Sequence, residues 1–143
     1  METNTYNLFV YGSLRSGFQH PAYQYLKEFF RPLGDGLVKG RFYDKGEYPV
    51  AVPTTEEAYL IGELYEANNP ESFHWAIAQL DDYEGLNVMP GETPLYRREL
   101  VEIIHNGSSL KNAWIYWYNE STDELPPVET GDIFVYLQQK NNS

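Results

Sequence analysis

Short apolar runs separated by turn residues recur along the chain, and most of them have the length and alternation of β-strands. The first run, residues 8–10, is too short for a helix and stops at Tyr11 and Gly12. Residues 59–65 alternate apolar side chains between two faces, and residues 111–119 do so with aromatic ones. Strands are predicted at residues 8–10, 36–43, 48–53, 59–65, 96–105 and 111–119, and a last apolar run covers residues 133–137.

Two other segments repeat apolar residues at helical spacing. The first covers residues 21–30; the second begins after Asn69, which suits a helix N-cap, and stops at Gly85. With about six strands, these helices predict an α+β fold: a small, mostly antiparallel, barrel-like sheet with flanking helices. The chain length predicts a single domain over residues 1–143, with its core at about 7–137. The inward-facing stripe of the second helix consists of Phe73, Ile77 and Leu80.

Composition and charge disfavour several classes of function. The 143 residues include 42% apolar side chains and thirteen tyrosines, which favours a packed, strand-rich fold over a disordered chain. The formal net charge of −11 disfavours binding to nucleic acid or to anionic membranes. Cysteine is absent and the three histidines are scattered, so no metal site is predicted. The sequence shows no signal peptide and no membrane-spanning run, which predicts a cytoplasmic protein.

The apolar stripe of the second helix reaches a carboxylate when it is continued by one more turn. Glu84 follows Leu80 by four residues, so it points toward the core or an adjoining pocket unless the break at Gly85 turns it to solvent. Desolvation raises the pKa of a carboxyl group, which suits a general base working near neutral pH. Asp81, one turn earlier, is interpreted as an exposed helix acid, with a partnership with Glu84 as the alternative. A glycosidase-like carboxylate pair of Glu63 and Glu84 stays open as well.

Six segments of the chain, taken in order, match the pattern of a known superfamily. They are Phe9-Val10-Tyr11-Gly12-Ser13-Leu14, Tyr48-Pro49, Gly62-Glu63-Leu64-Tyr65, Leu80-Asp81-Asp82-Tyr83-Glu84-Gly85, Tyr96-Arg97-Arg98 and Ala113-Trp114-Ile115-Tyr116-Trp117-Tyr118. This ordered set resembles the γ-glutamylcyclotransferase-like superfamily, in particular its γ-glutamylamine cyclotransferase and AIG2-like branch. The resemblance covers roughly residues 7–132, and the ordered set is more specific than any single match.

The resemblance implies a small barrel-like fold with flanking helices and an enzyme that releases 5-oxoproline from a γ-glutamyl amine or γ-glutamyl amino acid. It implies Glu84 as the general acid/base. Because such a substrate carries its own nucleophile, the α-amine, the reaction needs neither a nucleophilic side chain nor a metal or other cofactor. The residues implied to hold the small γ-glutamyl substrate are Tyr11, Gly12, Ser13 and Leu14, largely through backbone N–H groups; Tyr48, Pro49 and Tyr118 are further candidates.

The main alternative is a small-molecule-binding or regulatory module that keeps this fold without turnover, since fold does not fix function. A phosphate-binding loop is disfavoured because residues 12–17 lack the Gly-Lys-Ser/Thr ending. A serine hydrolase is disfavoured because no Gly-x-Ser-x-Gly elbow surrounds Ser13 or Ser16. Glu84 favours catalysis, because a structural domain gains nothing from a carboxylate on that stripe. The sequence leaves open which γ-glutamyl compound is the substrate.

Overall fold

The computed structural model of the chain describes five stretches, residues 6–11, 27–46, 49–83, 96–105 and 109–141. Within them lie seven strands and two helices, and residues 27–29 are helical as well. No helix in these stretches is long and apolar enough to cross a membrane. The elements are β1 (Asn7–Val10), β2 (Phe30–Asp44), β3 (Pro49–Pro53), β4 (Tyr59–Ala67), α1 (Pro70–Tyr83), β5 (Tyr96–His105), β6 (Ser109–Tyr118), β7 (Pro127–Val128) and α2 (Ile133–Asn141).

Five of the strands close into a barrel in the order β2-β4-β1-β6-β5. All their pairings are antiparallel except the parallel contact between β1 and β6. The barrel closes where Gly36 and Leu37 of β2 pair with His105 and Ile104 of β5, so that none of these five strands is left as an edge. The short, proline-bounded β3 pairs with the end of β2 outside the barrel and lies at the end of the strand order, a position that tolerates proline.

Side chains of the barrel strands alternate between the barrel interior and a layer beneath α1. Phe9 of β1 points into the interior, whereas Leu8 and Val10 pack in the outer layer. The stripe predicted on the second helix is buried in the same outer layer, so its inward orientation is confirmed. The barrel interior also contains Val38, Phe42, Leu60, Leu64, Ile103, Ala113, Ile115 and Trp117, and the outer layer contains Tyr65, Ala76 and Tyr116 beside the stripe.

β2 is longer than the strand predicted at residues 36–43. It begins at Phe30, directly after the helical residues 27–29, and the earlier part of the predicted first helix lies outside the described residues. A proline inside a strand removes a hydrogen-bond donor, and here the register shifts between Pro32 and Gly34 to accommodate it. Gly34 has a φ of 130°, which glycine adopts without steric cost.

The last apolar run forms a helix that the sequence pattern did not predict. Asp132 caps it, because its Oδ1 accepts a 2.9 Å hydrogen bond from the backbone N–H of Phe134. Ile133 and Tyr136 are three residues apart and both are buried against the barrel core. The cap and this spacing are the signals that distinguish the helix from a seventh strand.

Candidate active site

The described candidate residues belong to one end of the barrel. β1 and β6 run parallel, so Tyr11, which follows β1, and Tyr118, which ends β6, lie at the same end. β5 begins there, with Tyr96 opposite Tyr118, and β2 ends there, with Asp44 opposite Pro49. We call this end, formed by these five residues, the Tyr11 rim.

Tyr11 is held in place by three neighbours, Phe42, Tyr116 and Trp117. Its ring stacks on Trp117 at a centroid distance of 6.2 Å and an interplanar angle of 26°, and it meets the edge of Phe42 at 5.8 Å. Its hydroxyl donates a hydrogen bond to the backbone carbonyl of Tyr116. The point at which the chain continues into Gly12 is therefore anchored by both aromatic packing and a hydrogen bond.

Helix α1 approaches the same end of the barrel from outside. Asn69 caps its first turn, with Oδ1 accepting a 2.8 Å hydrogen bond from the backbone N–H of Ser72. The buried stripe then runs from Phe73 to Leu80, and the described helix ends at Tyr83. Glu84 is the next residue in the sequence.

Asp81, in the last turn of α1, has three hydrogen bonds that sequence reasoning missed. The guanidinium of Arg98 in β5 donates two hydrogen bonds to its carboxylate, from Nε to Oδ1 at 2.8 Å and from Nη2 to Oδ2 at 3.0 Å. The Tyr116 hydroxyl donates to Oδ1 at 2.7 Å. The interpretation of Asp81 as an exposed acid is wrong, because only 16% of its side chain is accessible to solvent. Its partners come from strands that follow it in the chain, so helical spacing could not reveal them.

The surroundings of Arg98 affect both its pKa and its orientation. Burial of the guanidinium opposes its charge, but the hydrogen bonds and charge of Asp81 outweigh burial and raise the pKa of Arg98. Its guanidinium carbon also lies 4.9 Å from the centre of the Trp114 ring, a distance suited to a cation–π contact. Arg98 and Tyr116 are directly opposite each other on β5 and β6, so one register brings both donors to Asp81.

Tyr118 lies on the opposite face of β6 from Trp117, and hence from the Tyr11 ring, because successive residues of a strand alternate. It is buried, with the Tyr96 ring edge-on at 6.0 Å and the ammonium of Lys45 above its ring at 5.2 Å. Lys45 follows Asp44, the residue paired with Pro49, so Tyr118 and Pro49 flank the same turn between β2 and β3. The candidate residues thus divide between the two faces of the sheet at this rim.

The turn between β2 and β3 is held by the C-terminal helix. The Asp44 carboxylate accepts hydrogen bonds from the Lys140 ammonium at 2.7 Å, the Tyr136 hydroxyl at 2.9 Å and the Gly46 backbone N–H at 2.8 Å. The hydrogen bond from Lys140 is the main cause of the lowered pKa of Asp44. Burial, with the nearby Asp44 charge, raises the pKa of Tyr136 to about 12. These contacts of Asp44 fix the end of β2, where the turn toward Pro49 begins.

Five of the eight candidate site residues lie outside the described stretches: Gly12, Ser13, Leu14, Tyr48 and Glu84. Three of them adjoin a described residue in sequence: Gly12 follows Tyr11, Tyr48 precedes Pro49 and Glu84 follows Tyr83. The glycosidase alternative depends on the separation between Glu63 and Glu84, which the described residues do not give. Glu63 itself accepts a 2.9 Å hydrogen bond from the Tyr65 hydroxyl.

Comparison with known sequences gives the family. Residues 8–136 match the family described as "Gamma-glutamyl cyclotransferase, AIG2-like". The chain is 32% identical over 127 residues to MJ1514 of Methanocaldococcus jannaschii, whose name assigns it provisionally to the gamma-glutamylcyclotransferases; the match covers 87% of this chain and 92% of that protein. It is 30% identical over 126 residues to the gamma-glutamylcyclotransferase family protein YtfP of Escherichia coli, covering 87% and 93%. The chain therefore belongs to the AIG2-like γ-glutamylcyclotransferase family, which confirms the resemblance.

Solved structures share the fold. The solution structure of YtfP from Escherichia coli has a TM-score of 0.56 at 29% identity, covering 88% of this chain and 94% of that one. An AIG2-like protein from Mus musculus has a TM-score of 0.62 at 20% identity, covering 88% and 87%. YkqA from Bacillus subtilis has a TM-score of 0.67 at 24% identity; the match covers 96% of this chain, which spans only 42% of YkqA. The predicted α+β, barrel-like fold is confirmed.

Proposed function

We propose that this protein is a γ-glutamylcyclotransferase that releases 5-oxoproline from a γ-glutamyl amine or a γ-glutamyl amino acid. Family membership supports a cyclotransferase-like enzyme. The observation that carries the proposal is the anchoring of two segments on one residue: Tyr11, the first residue of the candidate loop, and Asp81, three residues before Glu84, both form hydrogen bonds with Tyr116. The reaction needs a substrate-holding loop close to an acid/base group, and a shared anchor for the residues that lead into both supports such an arrangement.

The reaction is an intramolecular aminolysis. The α-amine nitrogen of the substrate attacks its own γ-carbonyl carbon, a new C–N bond closes the five-membered ring, and the original γ-amide C–N bond breaks. Starting from the α-ammonium, the attacking nitrogen loses two protons and the departing amine gains two, so protons balance without water as a reactant. The enzyme supplies orientation and proton transfer, and a folded substrate gains most of its rate from the proximity of the reacting atoms.

Glu84 is the general acid/base in this proposal. The carboxylate removes one proton from the α-ammonium, which frees the lone pair for attack, and gives it to the leaving nitrogen as the γ-amide bond breaks. It then takes the second proton from the ring nitrogen and passes it to the free amine, which leaves as an ammonium. Support comes from the buried stripe of α1, which directs the end of this helix toward the barrel, and from the anchoring of Asp81 one turn before Glu84.

The segment Tyr11-Gly12-Ser13-Leu14 holds the γ-glutamyl group in this proposal. Backbone N–H groups of a glycine-containing turn bind a carboxylate without requiring a positively charged surface, which suits a chain with a net charge of −11. Tyr48 and Pro49, with Tyr118 across the turn from Pro49, contact the remainder of the substrate.

A product assay tests the proposal directly. The purified protein is incubated with a panel of γ-glutamyl amines, γ-glutamyl amino acids and N-ε-γ-glutamyl-lysine, and 5-oxoproline is measured by mass spectrometry. We expect 5-oxoproline and the free amine in equal amounts from at least one member, and none from the heat-denatured protein. Tight binding of a panel member without product would instead support the non-catalytic module.

A further inference from the structure

The contacts of Asp81 are unusual for the end of a helix. The last turn of α1 has no basic residue, and a carboxylate there faces the negative end of the helix dipole. The placement therefore opposes the local electrostatics of the helix, and the Arg98 guanidinium and the Tyr116 hydroxyl compensate it. Helix stability alone does not call for a carboxylate at this position.

We infer that Asp81, Arg98 and Tyr116 are positioning residues that fix the end of α1, and with it Glu84, relative to the loop that follows Tyr11. This inference rests on the proposed function. The three residues contact one another rather than the substrate, so their effect on the reaction is indirect.

The geometry of the triad supports positioning over general stabilisation. The apolar stripe of α1 packs on the barrel through contacts that have no fixed direction. The last carbonyl groups of a helix lack N–H donors within the helix, so its last turn is the part that the helix itself constrains least. A bidentate guanidinium fork has one preferred orientation, so it fixes direction as well as distance. Buried ion pairs contribute little net stability, and their best-supported role is to fix the alignment of the structural elements that they join.

The anchor itself is rigid. Arg98 and Tyr116 are cross-strand partners in the barrel, and the Trp114 ring lies against the guanidinium. Only 24% of the Arg98 side chain is accessible to solvent. Tyr116 also receives the Tyr11 hydroxyl on its carbonyl oxygen. Tyr116 therefore fixes the end of α1 and the beginning of the candidate loop at the same point of the barrel.

The test compares three variants with the wild-type enzyme. Asp81→Asn removes the charge gripped by Arg98, and Tyr116→Phe removes one hydroxyl but keeps the carbonyl that holds Tyr11. Glu66→Gln is the matched control: it makes the same carboxylate-to-amide change in the ion pair with Arg31, at the opposite end of the barrel.

We expect Asp81→Asn to lower kcat by about 10- to 100-fold with KM within about twofold, because a small displacement of a catalytic group costs rate rather than ground-state binding. Tyr116→Phe is expected to lower kcat by about 3- to 10-fold on the same grounds. Glu66→Gln should leave both parameters unchanged. A kcat within about twofold of wild type for Asp81→Asn, in folded protein, overturns the inference.

Hydrogen exchange gives a second measurement that does not need turnover. In Tyr116→Phe and Asp81→Asn the amides of residues 81–83 should exchange about tenfold faster, while those of β4 keep their wild-type rates. Unchanged exchange at residues 81–83 overturns the positioning role. If the wild-type protein forms no 5-oxoproline from any panel member, the proposed function fails, and the exchange data still decide whether these residues fix the helix end.

Discussion

The Tyr116 hydroxyl donates a 2.7 Å hydrogen bond to Oδ1 of Asp81, although 35 positions separate the two residues in the chain. The carbonyl of the same tyrosine accepts the hydroxyl of Tyr11. One residue of β6 therefore contacts both the exit from β1 and the last turn of α1. The exit from β1 and the last turn of α1 are therefore tied to a common point of the barrel, and the sheet fixes where Tyr11 and Asp81 lie relative to each other.

Tyr11→Phe tests the hydrogen bond between the Tyr11 hydroxyl and the carbonyl of Tyr116. The variant keeps the ring on Trp117 and Phe42 but removes the hydroxyl that donates to the carbonyl of Tyr116, so we expect the free energy of unfolding to fall by about 1–2 kcal/mol. Tyr11→Ala removes the ring as well and should cost about 3 kcal/mol or more. Urea denaturation followed by circular dichroism measures both. Equal losses in the two variants would show that the hydrogen bond, and not the stacking, holds Tyr11.

Gly62→Ala tests how closely β4 packs beneath the exit of β1. A Cβ at Gly62 would lie 2.2 Å from the carbonyl oxygen of Val10 and 2.6 Å from Cζ of Phe9, so the backbone before Tyr11 has to shift. We expect a loss of about 2–3 kcal/mol, typical of overpacking. Gly46→Ala is the control: its Cβ meets open space, and only its φ of 110° is strained, at about 1 kcal/mol. A smaller loss at Gly62 than at Gly46 would contradict the prediction.

Periodicity predicted the parts of the fold that repeat locally. The alternation at residues 59–65 and the stripe of Phe73, Ile77 and Leu80 each depend on neighbours within two to four positions, and the structure confirms both. The capped start of α1 at Asn69 also depends on residues close in sequence. These features are local, so a single sequence is enough to predict them.

The parts that sequence reasoning missed depend on tertiary contacts. In the sequence, Asp81 has the pattern of a surface acid on a helix. Its contact with Arg98 depends on how β5 packs beside α1, which the local sequence of neither element specifies. Gly36 pairs with His105 at the closure of the barrel, and this contact depends on the four other strand pairings that bring β2 and β5 together. The candidate site is of the same kind, since the family resemblance named its residues while the local pattern gave only the direction of the α1 stripe.

Stability at alkaline pH should depend on Tyr136. Its pKa is raised to about 12 by burial and by Asp44, so its contribution is fully present below pH 10 and is lost as the pH rises through about 12. One pKa unit is worth about 1.4 kcal/mol, which sets an upper limit of about 3 kcal/mol. The stability difference between wild type and Tyr136→Phe should therefore shrink between pH 10 and pH 12 in thermal unfolding experiments. A difference that stays constant over this range would argue against the raised pKa.

Stability at acid pH should depend on Asp44. Its pKa is lowered chiefly by the hydrogen bond from Lys140, so its contribution is present above its unfolded value and is lost as the pH falls through the lower folded value. We expect wild type to be more stable than Asp44→Asn at neutral pH and the two to converge below about pH 3.8, the ordinary value for this group. Urea unfolding at several pH values measures this. Persistence of the full difference at the acid end would show that Asp44 acts through shape rather than charge.

Glu84→Gln separates binding from proton transfer in the proposed reaction. The amide keeps the size and polarity of the side chain but cannot accept the proton of the α-ammonium, so we expect kcat to fall by about 10²- to 10⁴-fold, the usual contribution of a general acid/base. Substrate affinity, measured by calorimetry with the best γ-glutamyl compound of the panel, should change by less than about threefold because only the proton transfer is lost. Glu71→Gln makes the same change in the first turn of α1 and serves as the control, with wild-type kcat expected. If Glu84→Gln retains wild-type turnover, another group carries the proton and Glu84 has no part in the chemistry.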